Sequence, residues 1–125
     1  MSSNWNDSQP IYWQLKERTV AMILDGTLPE GEALPSVRNV ASEFQLNPIT
    51  VSKSYQALVD EGLVEKRRGL GMFVCEGARR KLIESERAKF LRDEWPAMLN
   101  RVEQLGLSID DLLGKVRSKD KGSDS

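Results

Sequence analysis

Apolar side chains recur at helical spacing in three separate stretches of the first half of the chain. The first stretch begins at Pro10 and ends before Gly26, because proline suits the start of a helix and glycine suits its end. A loop with two prolines, residues 27–35, follows it. The inward positions of this predicted helix are Tyr12, Leu15, Thr19, Met22 and Ile23.

Two shorter amphipathic helices come next, and each has a capping residue at its start. Ser36 precedes the first helix, and Asn47 followed by Pro48 precedes the second. Gly62 ends the second helix. Their inward positions are Val37, Val40, Ala41 and Phe44 in the first helix, and Val51, Tyr55, Leu58 and Val59 in the second. Two such helices joined by a short turn predict a helix-turn-helix.

From Leu63 onward the helical period gives way to two short extended runs. The runs are residues 63–67 and 72–75, and the turn between them contains Gly69 and Gly71. Glycine readily takes the positive φ that hairpin turns need. Because an isolated two-stranded hairpin is marginal in water, we expect this one to pack against the preceding helices.

The C-terminal part is predicted to be helical and rich in charge, after a hinge at Glu76 and Gly77. Pro96 should kink or split the helix, and Gly106 should end it before a last short helix capped by Ser108. The apolar stripe of this part consists of Leu82, Ile83, Phe90, Leu91, Met98, Leu99, Val102 and Leu105. A helix standing alone cannot bury such a stripe, so we expect it to pack against a partner chain or the first helix.

The predicted fold class is therefore mainly α with a small β-hairpin. It consists of a winged helix-turn-helix domain followed by a short C-terminal helical dimerisation segment. The predicted boundaries are a flexible N-terminus (1–9), the winged helix-turn-helix domain (10–75), the dimerisation segment (76–117) and a disordered tail (118–125).

Composition excludes several classes of protein. The 125 residues contain no histidine and a single cysteine, Cys75, which excludes a Cys/His zinc site, imidazole catalysis and a disulfide within one chain. The chain has neither an apolar run long enough to span a bilayer nor a signal peptide, so we expect a cytoplasmic protein without a membrane partner. No nucleophile–base pair or phosphate loop is visible, and we therefore predict no enzymatic activity and no cofactor.

The net charge of −1 hides an uneven distribution. Residues 63–81 contain six basic and two acidic residues, a net charge of +4, whereas residues 1–35 and 84–113 each carry −3. The three basic residues Lys66, Arg67 and Arg68 lie beside the predicted hairpin turn. A basic wing beside a helix-turn-helix is typical of DNA binding, in which arginine favours a narrow minor groove. Each feature also has a purely structural interpretation. The exposed side of the second short helix would then be a solvated helix face, and the basic hairpin would be an edge strand kept soluble by its charges.

Several stretches of the sequence resemble the GntR family of bacterial transcription regulators. They are Pro10-Ile-Tyr-Trp-Gln-Leu15, Gly31-Glu-Ala-Leu-Pro-Ser-Val-Arg38, Asn47-Pro-Ile-Thr-Val51 and Glu61-Gly-Leu-Val-Glu-Lys-Arg-Arg-Gly-Leu-Gly-Met-Phe-Val74. The resemblance covers residues 10 to 75, in order and with the family's spacing. The remaining 50 residues are too few for a large ligand-binding domain, and they are similar to the short two-helix dimerisation tail of the YtrA subfamily.

The resemblance implies a homodimer that binds an inverted-repeat DNA operator and represses transcription. By position it implies that Arg38 contacts DNA, that the recognition helix begins at Asn47, and that Arg68 and Gly69 form the wing tip. The candidate DNA-binding residues are Ser36, Arg38, Asn47, Pro48, Ile49, Thr50, Ser52, Lys53, Lys66, Arg67, Arg68, Gly69 and Gly71. Many family members carry arginine where this chain has Pro48 or Ser52, so base specificity is expected to depend on Thr50, Lys53 and Arg38.

The candidate dimerisation residues are Trp13, Ile83, Phe90, Leu91, Trp95, Met98, Leu99 and Val102. An unidentified small-molecule effector is left open, and a two-helix tail has little room for its pocket except between subunits.

Two other classes of function are weighed against the DNA-binding regulator. A winged helix used only for protein contacts would suit an acidic or apolar wing better than Lys66-Arg67-Arg68, and a small enzyme lacks paired catalytic groups.

Overall fold

The computed structural model of the chain describes the backbone of residues 5–123 and the side chains of residues 5–117. Its elements in chain order are α1 (Ile11–Leu24), α2 (Val37–Phe44), α3 (Pro48–Asp60), β1 (Val64–Arg67), β2 (Gly71–Val74), α4 (Ala78–Lys89), a π-helical turn (Phe90–Glu94), α5 (Trp95–Gln104) and α6 (Ile109–Ser123). The prediction of a mainly helical protein with one small hairpin is confirmed. The chain divides into two compact units, Met1–Glu84 and Ser85–Ser125, and the boundary lies inside α4.

The first unit has a single apolar core to which every one of its elements contributes. Ile23, Val51 and Leu58, which lie at predicted inward positions of α1 and α3, are at most 1% exposed. The hairpin and the start of α4 complete the core. The other buried apolar side chains of this unit are Leu15, Val20, Leu34, Val40, Ala41, Tyr55, Leu63, Val64, Val74, Ala78 and Leu82.

The predicted capping residues of α2 and α3 occupy the expected positions. Ser36 Oγ accepts a hydrogen bond from the backbone N–H of Asn39 at 3.1 Å, and Asn47 Oδ1 accepts one from Ile49 at 2.9 Å. These bonds satisfy donors that a helix leaves free in its first turn. The helix α1 begins one residue later than predicted, because Pro10 is its N-cap and has an extended ψ of 144°.

The hairpin is stabilised by a third extended segment. The strands β1 and β2 pair antiparallel, with Val64 opposite Val74 and Arg67 opposite Gly71. The loop before α2 runs along the other edge of β2, where Leu34 N–H donates to Met72 O at 2.8 Å and Val74 N–H donates to Glu32 O at 2.9 Å. The predicted need of the hairpin for support is thus met by this loop as well as by the helices.

The N-terminal residues 5–9 are held against α1, and the flexibility predicted for segment 1–9 stays a prediction. The Gln14 side chain donates to the carbonyls of Asn6 (2.9 Å) and Gln9 (2.7 Å) and accepts from the Asn6 N–H at 3.0 Å. The Trp5 ring lies edge-on to Phe44, with 6.1 Å between ring centroids. An amide that satisfies three backbone groups and a packed aromatic ring account for this order. Residues 1–4 lie outside the described part of the chain.

The second unit consists of the helical segments after residue 84. A π-helical turn joins α4 to α5 without a break in the helical run, and Pro96 lies in the first turn of α5 directly after it. The helix α6 spans Ile109–Ser123, and the disordered tail predicted at residues 118–125 stays a prediction. Asp110 and Asp111 in its first turn favour helix formation, and each further residue adds one hydrogen bond. Residues 124 and 125 lie outside the described range.

None of the helices formed by the described residues is long and apolar enough to cross a membrane.

Candidate nucleic-acid interface

The first two turns of α3 present a row of exposed side chains. Ile49 is 74% exposed, Ser52 and Lys53 are exposed, and Thr50 is half-buried. Val51, Ser54, Tyr55 and Leu58 lie on the opposite, buried face. The exposed row combines an apolar group with hydroxyl groups at the positive end of the helix dipole, a surface chemistry that suits base edges and phosphates.

Tyr55 fixes α3 to the loop that precedes α2. Its hydroxyl donates to the carbonyl of Pro35 at 2.7 Å, and its side chain is 3% exposed. Burial raises the pKa of Tyr55 to about 12, so the hydroxyl stays protonated and remains a donor at neutral pH. This bond between residues 20 positions apart helps to set the position of α3 relative to α2.

Arg38 lies on the first turn of α2, close to the start of α3. Its guanidinium is exposed and makes no hydrogen bond or ion pair among the residues that the structure describes. A shallow groove between the two helices is lined by Val37, Arg38, Ala41, Ser42, Leu46 and Pro48. The predicted contacts Arg38 and Pro48 are thus brought together on one surface. Ser36 and Asn47 also lie at the helix starts, but their side-chain oxygens are used as caps.

Lys53 is held by α1. Its Nζ lies 4.3 Å from the centroid of the Tyr12 ring, a cation–π distance. The ammonium remains exposed, so the aromatic ring orients it without removing it from the surface.

The wing differs from the prediction in the role of one arginine. The Arg67 guanidinium donates twice to Glu65 Oε1, at 2.9 and 3.0 Å, and lies 4.2 Å from the centroid of the Phe73 ring. Its charge is therefore paired within the hairpin. Lys66 and Arg68 are exposed and make no hydrogen bond or ion pair within the described part of the chain.

The wing tip is a narrow glycine turn. Gly69 and Gly71 have φ angles of 77° and 114°, and the Leu70 N–H donates to Arg67 O at 2.9 Å. Leu70 is 72% exposed at this tip. Sequence reasoning missed Leu70 as a surface residue, although its position between two turn glycines was a signal that it could not enter the core.

Two exposed basic side chains of residues 63–81 bind backbone carbonyls of the same unit. Arg79 Nε donates to the carbonyl of Leu24 at 2.8 Å, and Lys81 Nζ donates to the carbonyl of Glu61 at 2.7 Å. Both carbonyls lie at helix ends, so these two cations bind the negative ends of helices within the same unit.

The candidate dimerisation residues vary in exposure. Phe90, Leu91, Trp95 and Met98 are 39% to 56% exposed, and the rings of Phe90 and Trp95 lie 6.3 Å apart. Ile83 and Leu99 are half-buried, Val102 is 8% exposed, and Trp13 on α1 is 38% exposed. Sequence reasoning missed Leu107, Ile109, Leu113 and Val116, which are 39% to 56% exposed and which the same search for an apolar stripe would have found after Gly106.

The first unit also contains a largely apolar cavity of about 550 Å³. It lies between α1, the following loop and α2, and its wall includes Leu15, Met22, Leu28, Val40 and Phe44. The sequence had indicated room for a pocket only between subunits. No group of three or more potential metal ligands occurs among the described residues.

Comparisons with known proteins agree with this architecture. The family model described as bacterial regulatory proteins, gntR family, matches residues 11–74. The chain is 32% identical over 105 residues to the HTH-type transcriptional repressor YtrA of Bacillus subtilis, a match that covers 84% of this chain and 80% of that protein. The family and this relative are transcription regulators, not enzymes.

Solved structures are similar as well. A GntR-family transcriptional regulator from Bacteroides thetaiotaomicron superposes with a TM-score of 0.68 and 32% identity, covering 90% of this chain and 98% of that one. The DNA-binding domain of AraR in complex with operator ORX1 gives a TM-score of 0.53 with 25% identity, covering 60% and 92%. The predicted winged helix-turn-helix fold is confirmed, and the match to YtrA over most of both chains fits the YtrA-like subfamily.

Proposed function

Since the chain belongs to the GntR family of bacterial transcription regulators, we propose that it is a cytoplasmic repressor that binds an inverted-repeat DNA operator as a homodimer. One observation carries the DNA-binding part of this proposal. The start of α3 presents exposed Ile49 and Ser52 beside the exposed guanidinium of Arg38, whereas Val51, Tyr55 and Leu58 on the other face of α3 are buried in the core.

In this proposal the N-terminal turns of α3 enter the major groove. Ile49 meets a thymine methyl group, Thr50 and Ser52 bond to base edges, and Lys53 contacts a base edge or phosphate. Arg38, one helix earlier, binds the backbone or an adjacent base. Ser36, Asn47 and Pro48 hold the two helix starts against the duplex, where their free N–H groups favour phosphate.

The wing binds the neighbouring minor groove or the sugar-phosphate backbone. Lys66 and Arg68 supply its free charge, because the Arg67 guanidinium is paired with Glu65. The glycines Gly69 and Gly71 keep the tip narrow enough to approach the groove. Leu70 extends this list, since an exposed apolar side chain at a wing tip can contact sugars or widen a base step.

Dimerisation follows from the small size of one such surface. One short helix makes few base contacts, and two copies on half-sites about one helical turn apart double them. The relative YtrA is itself called a repressor, and AraR is crystallised with an operator. Both names support a regulator that acts by occupying DNA.

The proposal is tested by selecting the sequences that the protein binds from random duplex DNA. The affinity for the selected site is then measured at several salt concentrations. Arg38→Glu and Arg68→Glu should each weaken binding, and each should reduce the salt slope by about one unit if the lost contact is to phosphate. Arg117→Glu, an exposed position on α6, is the matched charge reversal and should leave the slope nearly unchanged. Failure of the selection to enrich any sequence would contradict the proposed function. Unchanged affinity and slope in Arg38→Glu would remove Arg38 from the site.

A further inference from the structure

The cavity between α1, the following loop and α2 is lined by residues of the first unit alone. We call it the α1–α2 cavity. Its volume of about 550 Å³ falls within the range of about 300–1,000 Å³ that is typical of small-molecule sites. It shares no lining residue with the groove beside Arg38, so it is separate from the surface proposed to face DNA.

The interior of the α1–α2 cavity is apolar, and its buried polar groups already have partners. Leu15 and Val40 are 5% and 7% exposed. The hydroxyl of Thr19 donates to the carbonyl of Leu15 at 2.9 Å, and that of Tyr55 donates to the carbonyl of Pro35 at 2.7 Å. Because a buried water molecule typically makes about three hydrogen bonds, this interior offers water few partners. It therefore favours an apolar occupant.

Two charged side chains line the α1–α2 cavity, and they differ in their partners. The guanidinium of Arg18 is half-buried and lies 3.9 Å from the centroid of the Trp5 ring, which is outside the wall. Glu43 is exposed, and its carboxylate makes no hydrogen bond or ion pair with any residue that the structure describes. The Glu43 carboxylate is thus the charge that is available to an occupant.

Aromatic and sulfur-containing side chains complete this chemistry. Phe44 and Tyr55 contribute rings to the wall, and Met22 contributes its thioether. An aromatic face attracts a positive charge, and methionine adapts to irregular apolar shapes. Rings beside a free carboxylate therefore favour a positively charged occupant over a negatively charged one.

We propose that the α1–α2 cavity binds an organic cation with a large apolar body, the body lying against Met22 and Phe44 and the positive charge lying at Glu43. This site is additional to the proposed DNA surface and does not depend on it. Since Tyr55 belongs to both the wall and α3, the bound molecule would contact the helix proposed to enter the major groove.

Calorimetric titration of the full chain with tetraphenylphosphonium tests the site. Tetraphenylborate is the matched probe, because it has nearly the same size and shape and the opposite charge. We expect one tetraphenylphosphonium to bind per chain, about fivefold or more tighter than tetraphenylborate, since the carboxylate and the rings both favour the cation. The titration contains no DNA, so its failure would leave the proposed function intact.

A larger side chain at the mouth of the cavity should block it. Ala21 lines the cavity and is exposed, so Ala21→Phe places a ring in the space that the probe would occupy without changing the core. We expect the affinity for tetraphenylphosphonium to fall about tenfold or more. Ala33→Phe makes the same change at an exposed position outside the wall and should bind as the wild type does. Asn39→Phe blocks the mouth from α2 and keeps the test decisive if Ala21→Phe fails to fold.

The role of charge is tested separately. Glu43→Gln should weaken the binding of tetraphenylphosphonium about two- to fivefold, the value of an exposed ion pair, and should reduce the preference over tetraphenylborate. Glu32→Gln removes the same charge from an exposed glutamate outside the wall and should change neither quantity.

The outcomes decide for or against the site. Binding that Ala21→Phe or Asn39→Phe abolishes and that Glu43→Gln weakens supports the proposal. Absence of binding, or equal binding by the wild type and by both blocked variants at wild-type melting temperatures, overturns it. Equal or tighter binding of tetraphenylborate overturns the assignment to a cation. If the blocked variants lose self-association in sedimentation and the wild type binds no probe, the cavity belongs to a contact between copies of the chain, which also overturns the proposal.

Discussion

The Tyr55 hydroxyl is a single polar group that helps to hold α3 in place. The Tyr55 ring is buried in the core, and its hydroxyl donates to the carbonyl of Pro35. Because the ring and the hydroxyl act on different neighbours, the hydroxyl can be removed without disturbing the packing of the ring.

Tyr55→Phe should lower the free energy of unfolding by about 0.5–1.5 kcal/mol, the usual net value of one hydrogen bond. Urea denaturation measures this loss. Tyr12→Phe is the matched control, since Tyr12 is half-buried and its hydroxyl has no partner among the described residues; we expect almost no change. Equal effects of the two substitutions would contradict the role given to the Tyr55 hydroxyl.

The same residue predicts a dependence on alkaline pH. The folded-state pKa of Tyr55 is raised from its ordinary value of 10.0 to about 12, so its contribution to stability is complete below pH 10 and is lost as the pH rises towards 12. The stability advantage of the wild type over Tyr55→Phe should therefore shrink across that range. A constant difference would show that the phenol is not buried as described.

Among the helices, the end of α3 depends on a glycine for two reasons. Gly62 has a φ of 74°, which a residue with a Cβ adopts only with strain, and a Cβ built there would lie 2.6 Å from Lys81 Nζ. Lys81 is flexible and can move away, but it then loses the carbonyl of Glu61. Gly62→Ala should therefore break the hydrogen bond from Lys81 to the Glu61 carbonyl as well as strain the turn.

Gly62→Ala should cost about 1–2 kcal/mol for the left-handed backbone, plus the loss of the Lys81 bond. Gly26→Ala, at a φ of 87° with open space around the glycine, should cost the backbone strain alone. A double-mutant cycle separates the terms, because Lys81→Met should destabilise the wild type but leave Gly62→Ala nearly unchanged. Strict additivity of Gly62→Ala and Lys81→Met would contradict the proposed contact.

Local signals account for the elements that the sequence predicts well. Ser36, Asn47 and Pro48 act within three residues of the helix ends that they define, so their roles can be read without any knowledge of the fold. The bonds of Glu30 to Gly77 and of Lys81 to Glu61 join residues 47 and 20 positions apart. Nothing local distinguishes these two side chains from other exposed charges.

The candidate site likewise combines features that the local sequence predicts with features that only the fold determines. Its position follows from the order of helices and hairpin, whereas the state of each cation depends on neighbours that only the fold supplies. Arg67 and Arg68 are adjacent in the sequence, but the pairing of β1 with β2 brings Phe73 beside Arg67 and leaves Arg68 exposed. Sequence reasoning could therefore assign a basic wing and could not say which of its charges is free.

At the scale of the whole molecule, the two units differ in how much apolar surface they bury. The first unit has a closed core, whereas Val102 is the buried apolar residue of the second among the side chains that the structure describes. The exposed large apolar residues of the second unit are Phe90, Leu91, Trp95, Met98, Leu105, Leu107, Ile109, Leu113 and Val116. So much exposed apolar surface favours burial against another chain, and the proposed homodimer provides one.

Phe90→Asp and Met98→Asp should convert the proposed dimer to a monomer, because each would place a charge without a partner in a desolvated interface. Sedimentation velocity measures the change, and the melting temperature should cease to depend on protein concentration. Asn100→Asp adds the same charge at an exposed polar position of α5 and should remain dimeric. Since a monomer covers only one half-site, operator affinity should fall with the dimer while binding to an isolated half-site persists. Retention of the dimer in both variants would place the interface elsewhere, whereas loss of half-site binding as well would mean that the substitution had damaged the winged helix itself.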